Sequence, residues 1–586
     1  MADVESMPST APAATQCVNV ATRLAEFAAR MPENLAVAAA RRGSSHYDTI
    51  TFGELDADAT RIARGLMDWG VKPGTRLALL VRPGIDFVTL VFALLRAGVV
   101  IVLVDPGLGR KNLVRCLAEA EPEGFVGIPA AQAARLWYRH SFLRAKWNVT
   151  VGHRWFWGGP TLDELRHRGD SLPATCPLLP ATRSVDPAAI IFTSGSTGPP
   201  KGVLYTHQMF DTQVAEIQSM YSIEPGRVDL SCFPLFALFN SAMGVTTVLP
   251  EMDFSRPAAA RPSKLLRAAN DWKVSQAFAS PAVWPNLSEH CRCTETHIST
   301  LRHIFSCGAP VPAEVLKKAF KYVAPNAKMH TPYGATECLP VATIEAAEVL
   351  GETAARAAEG GGVCVGRKFD SIEWRVIRIT DEPIATIDEA EELPTGEIGE
   401  LIVRGPQASP RYVTRTECNA PAKICDDSKR AGASSPPSVW HRMGDVGYLD
   451  DQGRFWYCGR KSHRVTSANG PMFSECVERV FDSYHWIRRC ALVGIGPKNA
   501  QTPILVYEEN LPREIYNPSP DGPHMPWEIA AEIPSDLAKI AAGHDVTASI
   551  RHFLPHKRFP VDVRHNAKIN RELLAEWAAT KLPELA

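Results

Sequence analysis

Residues 190–202 read Ile-Ile-Phe-Thr-Ser-Gly-Ser-Thr-Gly-Pro-Pro-Lys-Gly. Ile190, Ile191 and Phe192 form a short apolar run that predicts a buried strand. The run empties into a loop of hydroxyls, two glycines and a lysine. Gly195 and Gly198 allow backbone conformations that turn N–H groups toward an anion. Thr193, Ser194, Ser196 and Thr197 add hydroxyl donors, and Lys201 adds a point charge. Together they make a polyphosphate cradle. A solvated Gly/Ser turn would explain a lone Thr-Ser-Gly but not this whole pattern. It is not a Walker A loop, because no Gly-Lys-Ser/Thr follows at the required spacing.

The cradle sits in an alternating chain. Leu77–Val81, Val99–Val104, Ala188–Phe192, Val245–Leu249 and Leu301–Ser306 read as strands, and Ala21–Arg30, Phe52–Trp69 and Pro312–Tyr322 as helices. That alternation predicts an α/β protein with mostly parallel sheets. Glu400–Arg404 and Arg454–Cys458 flank tight turns and predict a local antiparallel section. Phe87–Val104 is nearly all apolar, yet Gly98 divides it and Arg96 would be costly at mid-bilayer, so it reads as helix, turn and buried strand. Asp381–Pro394, Asp426–Ser438 and Leu511–Pro526 read as polar surface insertions.

At 586 residues the chain exceeds one core, so several domains are expected. Residues 1–16 are small and polar, lack a basic start and an apolar core, and read as a loose tail. A large domain is expected over 17–459, and a small α/β domain over 460–586. A net charge of −1 argues against a nucleic-acid binder. The 14 cysteines form no C-x-x-C framework, so free thiols in a reducing compartment are the simpler reading than structural zinc.

Four further segments follow the cradle in order: Ser306-Cys-Gly-Ala-Pro310, Tyr333-Gly-Ala-Thr-Glu337, Met443-Gly-Asp445 with Gly459-Arg460, and Asn566-Ala-Lys-Ile-Asn-Arg571. With the cradle, this series resembles the adenylate-forming enzymes (acyl-CoA synthetases, peptide-synthetase adenylation domains and luciferases), which activate a carboxylate as an acyl-AMP. The resemblance implies a large domain of layered α/β subdomains with a small mobile C-terminal lid, and ATP with Mg²⁺. By the same resemblance, Gly308, Ala309 and Pro310 pack on adenine, Tyr333 stacks on it with Gly334 in the same nucleotide site, and Thr336 contacts the α-phosphate. Glu337 holds Mg²⁺, as a hard cation on phosphate oxygens requires. Asp445 and Arg460 take the ribose, and Lys568 is the mobile lysine of the transition state.

Departures narrow the activity. The hinge position, Asp or Lys in coenzyme-A ligases, is Ser462. In Ser467–Glu478, Ser474 and Cys476 replace the Pro and Glu that line a pantetheine tunnel, and Asn469 replaces the turn glycine. Without a thiol, a β-hydroxyl on the substrate itself is the simplest nucleophile, and it closes a four-membered lactone. Phe233–Asn240, Tyr333–Val341, His441–Val446, Cys458–Arg464 and Pro560–Lys568 then resemble the β-lactone synthetases of bacterial long-chain olefin biosynthesis. That likeness implies a 2-alkyl-3-hydroxy fatty acid as substrate. It also implies thiolase-like, reductase and α/β-hydrolase-like partner enzymes, and a cytoplasmic place with at most peripheral membrane contact. Phe233, Phe236 and Phe239, spaced every third residue, line an alkyl pocket or simply fill the core. A long-chain acyl-CoA or acyl-AMP ligase, and a nucleotide-binding regulatory protein, remain as competing readings.

Overall fold

Strands covered on both faces read as apolar runs, as Val100–Leu103 and Pro187–Phe192 do here. The computed structural model describes residues 18–173, 180–193, 198–308, 311–426, 438–510, 526–561 and 568–585. One six-stranded sheet runs in the order Trp147–Thr150, Gly124–Gly127, Arg76–Leu80, Val100–Leu103, Pro187–Phe192, Gly202–Thr206. Its pairs are parallel until the last, where Phe192 faces Gly202 in antiparallel register. A seven-stranded sheet, parallel except at its Leu35–Ala40/Tyr47–Thr51 edge, holds Val228–Ser231 at its centre. A third sheet of eight strands is antiparallel and carries Tyr333–Ala335, Cys338–Thr343, Gly399–Arg404, Ser438–Leu449 and Phe455–Arg460.

The helix expected at 52–69 runs Phe52–Asp68. Thr51 starts it: its hydroxyl accepts from the Glu54 N–H at 3.2 Å, and the Glu54 carboxylate accepts from the Thr51 N–H at 2.9 Å. Such a reciprocal cap contributes about 1 kcal/mol. The apolar Phe87–Val104 stretch divides into the helix Ile85–Arg96 and the strand Val100–Leu103, as its glycine predicts. Arg96 is buried there, ion-paired with Asp56 and donating to the Asp56 carbonyl at 2.8 Å. Among the described residues no helix is long and apolar enough to cross a membrane.

Past Arg460 the elements are smaller. Ile487–Ile495, Thr502–Glu509 and His552–Pro555 form a three-stranded sheet. Leu492, Leu505 and Tyr507 pack with Ile533 and Leu537 of the helix Pro526–Ala542 in a core of their own. Of the three polar insertions, residues 381–394 are mostly exposed around a buried Ile384. The other two fall almost wholly outside the described residues, as does the 1–16 tail.

Candidate active site

The cradle is closed at its base by its own backbone. The Thr193 N–H donates to the Lys201 carbonyl at 3.0 Å, and the Lys201 N–H returns to the Thr193 hydroxyl at 3.0 Å. Gly198 holds φ +134°, a conformation that excludes a side chain. Ser194, Gly195, Ser196 and Thr197 lie outside the described residues. The Lys201 ammonium stands 4.7 Å from the Tyr412 ring centre, where cation–π attraction holds it.

The next loop is fastened from three sides. The Tyr205 hydroxyl donates to the Thr336 carbonyl at 2.6 Å, and the Ser409 N–H to the Glu337 carbonyl at 2.7 Å. The Tyr412 hydroxyl donates to Glu337 Oε1 at 2.6 Å. Burial pushes the nearby Lys423 ammonium down to about 8, with Glu337 opposing the shift.

Antiparallel pairing of Ser438–Leu449 with Phe455–Arg460 sets Asp445 opposite Arg460. Arg460 Nη1 lies 3.0 Å from Asp445 Oδ1 but aims its hydrogen at the Met443 carbonyl, 3.0 Å away. The Tyr333 hydroxyl donates to Oδ2. Buried Oδ1 therefore has a cation beside it and no hydrogen bond. Burial raises the Asp445 pKa, and Arg460, Tyr333 and Lys568 oppose that shift.

One cavity of about 1640 Å³ gathers these groups. Thr193, Gly198, Lys201, Gly308, Tyr333, Gly334, Thr336, Glu337, Arg460 and Lys568 all line it. Asp445 does not; it sits behind Tyr333 and Arg460. Ala309 and Pro310 lie outside the described residues. Phe233, Phe236 and Phe239 line the cavity while also packing in or against the core. Phe236 stacks on Phe278 at 4.0 Å. A second apolar sector, lined by Leu113, Leu117, Phe125, Ala134, Tyr138 and Phe142, was not legible in the sequence.

Tyr205 and Tyr412 fasten the Thr336–Glu337 loop, yet neither sits in a recognisable motif. His441 is buried, and its Nδ1 lies 3.1 Å from the Ala422 carbonyl. A carbonyl only accepts, so Nδ1 carries the proton and Nε2 is the basic nitrogen of the ring. Burial, then Lys423, Lys201 and Arg460, push its pKa well below the usual imidazole value.

The departing segment is tightly built. A Cβ on Gly459 would meet the Ser474 hydroxyl at 2.4 Å, and the Cys476 thiol packs against Cys458. Beside Ser462, the Lys461 ammonium binds Glu400 and the Thr380 carbonyl, each at 3.0 Å, and Arg464 pairs with Asp381 at 2.8 Å.

The residues present fit a nucleotide. Lys201 and Lys568 bring cations to the cavity, Arg460 lines it beside them, and Asp445 Oδ1, behind Arg460, has no hydrogen-bond donor. Among the described residues no group of three or more His, Cys, Asp or Glu stands ready for a metal. A Mg²⁺ carried on phosphates needs one or two carboxylates, and Glu337 is available with a single donor on it.

The sequence pattern of the AMP-binding enzymes matches residues 24–413. An olefin beta-lactone synthetase of Stenotrophomonas maltophilia is 43% identical over 97% of this chain and 99% of its own. One from Xanthomonas campestris pv. campestris is 42% identical over 96% and 98%. The fold is that of an amide bond synthetase, McbA, from Marinactinospora thermotolerans, with a TM-score of 0.72, 22% identity, and 95% of this chain and 99% of that one covered. A cavity that joins converging cations and the Glu337 carboxylate to apolar walls thus meets near-full-length likeness, and the chain belongs to the AMP-binding enzymes, in the group of the olefin beta-lactone synthetases.

Proposed function

We propose that the protein converts a long-chain 2-alkyl-3-hydroxy acid and ATP, through an acyl-AMP, to a β-lactone, AMP and pyrophosphate. The observation that carries this reading is the cavity itself. Its polar end joins Lys201, Glu337, Arg460 and Lys568, and its two apolar sectors match the two alkyl chains of a branched acid. At about 1640 Å³ it exceeds the roughly 300–1,000 Å³ usual for small-ligand sites, as a nucleotide plus a branched lipid requires.

The substrate carboxylate attacks the α-phosphorus, and the bond to the β-phosphate breaks. Lys568 and Lys201 neutralise charge that spreads over the oxygens as this happens. Asp445 and Arg460 hold the ribose; Thr336 lies at the α-phosphate. Glu337 would hold a Mg²⁺, and that ion would supply charge to screen the departing pyrophosphate. The 3-hydroxyl then attacks the activated carbonyl, the carbonyl–oxygen bond to AMP breaks, and the ring closes. Both reacting groups belong to one bound molecule, which supplies an effective molarity on the order of 10⁵ M or more against ring strain. His441 accepts the hydroxyl proton at Nε2. Burial first, and then Lys423, Lys201 and Arg460, lower its pKa, and a bound phosphate offsets the charge of those three cations.

Buried Ser474 and Cys476 support the absence of a thiol route. Enzymes that condense and reduce acyl chains would supply the substrate, and one that removes CO₂ would consume the lactone; the thiolase-like, reductase and α/β-hydrolase-like partners belong here. Mass spectrometry of products from ATP, Mg²⁺ and a synthetic 2-alkyl-3-hydroxy acid tests the reading. The expected product is one water lighter than the acid, with CoA neither consumed nor accelerating. An acyl-CoA thioester formed as fast as ATP is used would restore the ligase alternative. His441→Ala should keep pyrophosphate release in a first turnover and stall as bound acyl-AMP.

A further inference from the structure

Exposed large apolar side chains are concentrated in one segment of this protein. Among the described residues the large ones are Trp137, Leu143, Trp155, Phe156, Met220, Ile398 and Leu573. Four of these seven fall between positions 137 and 156. Trp137, Leu143 and Phe156 are 83%, 87% and 83% exposed, far beyond what a buried-core explanation allows.

Charge is skewed in the same segment. Gly124 to Pro160 contains Arg135, Arg139, Arg144, Lys146 and Arg154, and no Asp or Glu, in a chain of net charge −1. Arg144 and Arg154 pair with Glu121 and Glu164 from outside it, at 2.8 and 2.9 Å. Among the described residues no ion pair reaches Arg135, Arg139 or Lys146. Those three line a shallow cleft of about 670 Å³ together with Phe156 and Trp157, so the fold brings the end of the helix Pro129–Trp137 against the aromatic turn.

That helix has a second role. Ala130, Ala131 and Ala134 line the large cavity, and Ala130 and Ala134 are themselves exposed, so the cavity opens beside it. Tryptophan with arginine and lysine is the composition of a membrane–water interface: the rings enter the headgroup layer while the cations meet lipid phosphate. An acidic protein partner would satisfy the cations but would not account for a cavity mouth at the edge of the patch.

We propose that the surface of the 137–156 segment, with exposed Trp137, Leu143, Trp155 and Phe156 and the cations Arg139 and Lys146, docks on an anionic lipid bilayer and admits the long-chain acid from it. The docking stands on the surface alone; the loading rests on the substrate proposed above. The test is flotation of the full chain with vesicles of phosphatidylglycerol and phosphatidylcholine, and with phosphatidylcholine alone. The protein should float with the anionic vesicles and be largely released by about 0.5 M NaCl. W137S/F156S and R139E/K146E should each weaken partitioning roughly tenfold or more. Pyrophosphate release with a short, water-soluble 3-hydroxy acid should stay at the wild-type rate in both, showing that they fold. Wild-type protein that stays out of the anionic layer, or two variants that float like wild type, would overturn the docking. A concentration-dependent dimer lost in W137S/F156S, without flotation, would assign this surface to a second copy instead. Intact flotation with no lactone formed would uphold the docking and strike only the substrate reading.

Discussion

At the polar end of the cavity, Thr193, Lys201, Glu337, Arg460 and Lys568 each sit in or beside a loop whose sequence announces its chemistry. In the apolar walls, Leu113, Phe125, Ala134, Phe236 and Phe278 come from separate helices and strands that share only burial or proximity. The difference is one of local against distributed information. A phosphate needs N–H groups, hydroxyls and a cation at short range, which a dozen consecutive residues can supply. An alkyl chain needs only a shape lined by carbon, which many unrelated side chains can make. Substitutions at the two ends should therefore fail in different ways.

The largest effect is expected at the polar end. Lys568→Ala should lower kcat for adenylation roughly 10²–10³-fold, because the charge it meets develops in the transition state. Pyrophosphate-release kinetics would read this; an unchanged kcat with a raised KM for ATP would make Lys568 a ground-state binder.

Asp445→Ala should instead raise the KM for ATP by about 10- to 100-fold, the worth of one charged hydrogen bond, with little change in turnover. Equal KM values in variant and wild type would remove Asp445 from the nucleotide site. The orphaned Oδ1 is the reason to expect an effect, although Asp445 does not itself line the cavity.

In the apolar wall, Ala134→Trp should cut kcat/KM for a long-chain acid about tenfold while sparing ATP and short-chain acids. Loss of activity with every acid would show that the second sector is structural packing and not a chain-binding arm.

The smallest effect is on stability and its pH dependence. Asp229 is buried in the strand Val228–Ser231 and accepts from Asn240, at 2.9 Å, and from Ser231. It anchors the helix Phe236–Ala242 that carries the phenylalanines. Burial pushes its pKa from 3.8 up to about 6 despite those donors. The folded state then holds the proton more tightly than the unfolded chain. That contribution is fully present below about pH 4 and is lost as pH rises through about 6. Asp229→Asn should flatten this step, so variant-minus-wild-type stability from urea unfolding should climb between those pH values. A difference that stays level would mean that Asp229 is ionised throughout.

Much of the fold was readable for the same local reason as the cradle. Thr51 and Glu54 mark a helix start, Gly98 divides an apolar run, and alternating segments imply parallel sheets; each signal acts within a few residues. Tyr412 and Lys423 gave no such signal, and His441 only opened a resembling segment with no role attached. Tyr412 matters because it reaches Glu337, and Lys423 because strand pairing sets it beside His441. Neither relation exists until distant strands register.

By itself the sequence determined the α/β architecture, the order of the nucleotide-facing loops, and the chemistry that each loop brings. Backbone propensity, capping and short-range donor patterns are properties of neighbouring residues, and neighbours are what a sequence displays. Only the tertiary structure decided that Asp445 lies behind Tyr333 and Arg460, that the cavity has a second apolar sector, and that Arg135, Arg139 and Lys146 line one cleft with Phe156. Those depend on which side chains burial brings together across the chain, and the hydrophobic effect that drives burial is non-directional, leaving no mark in the local pattern.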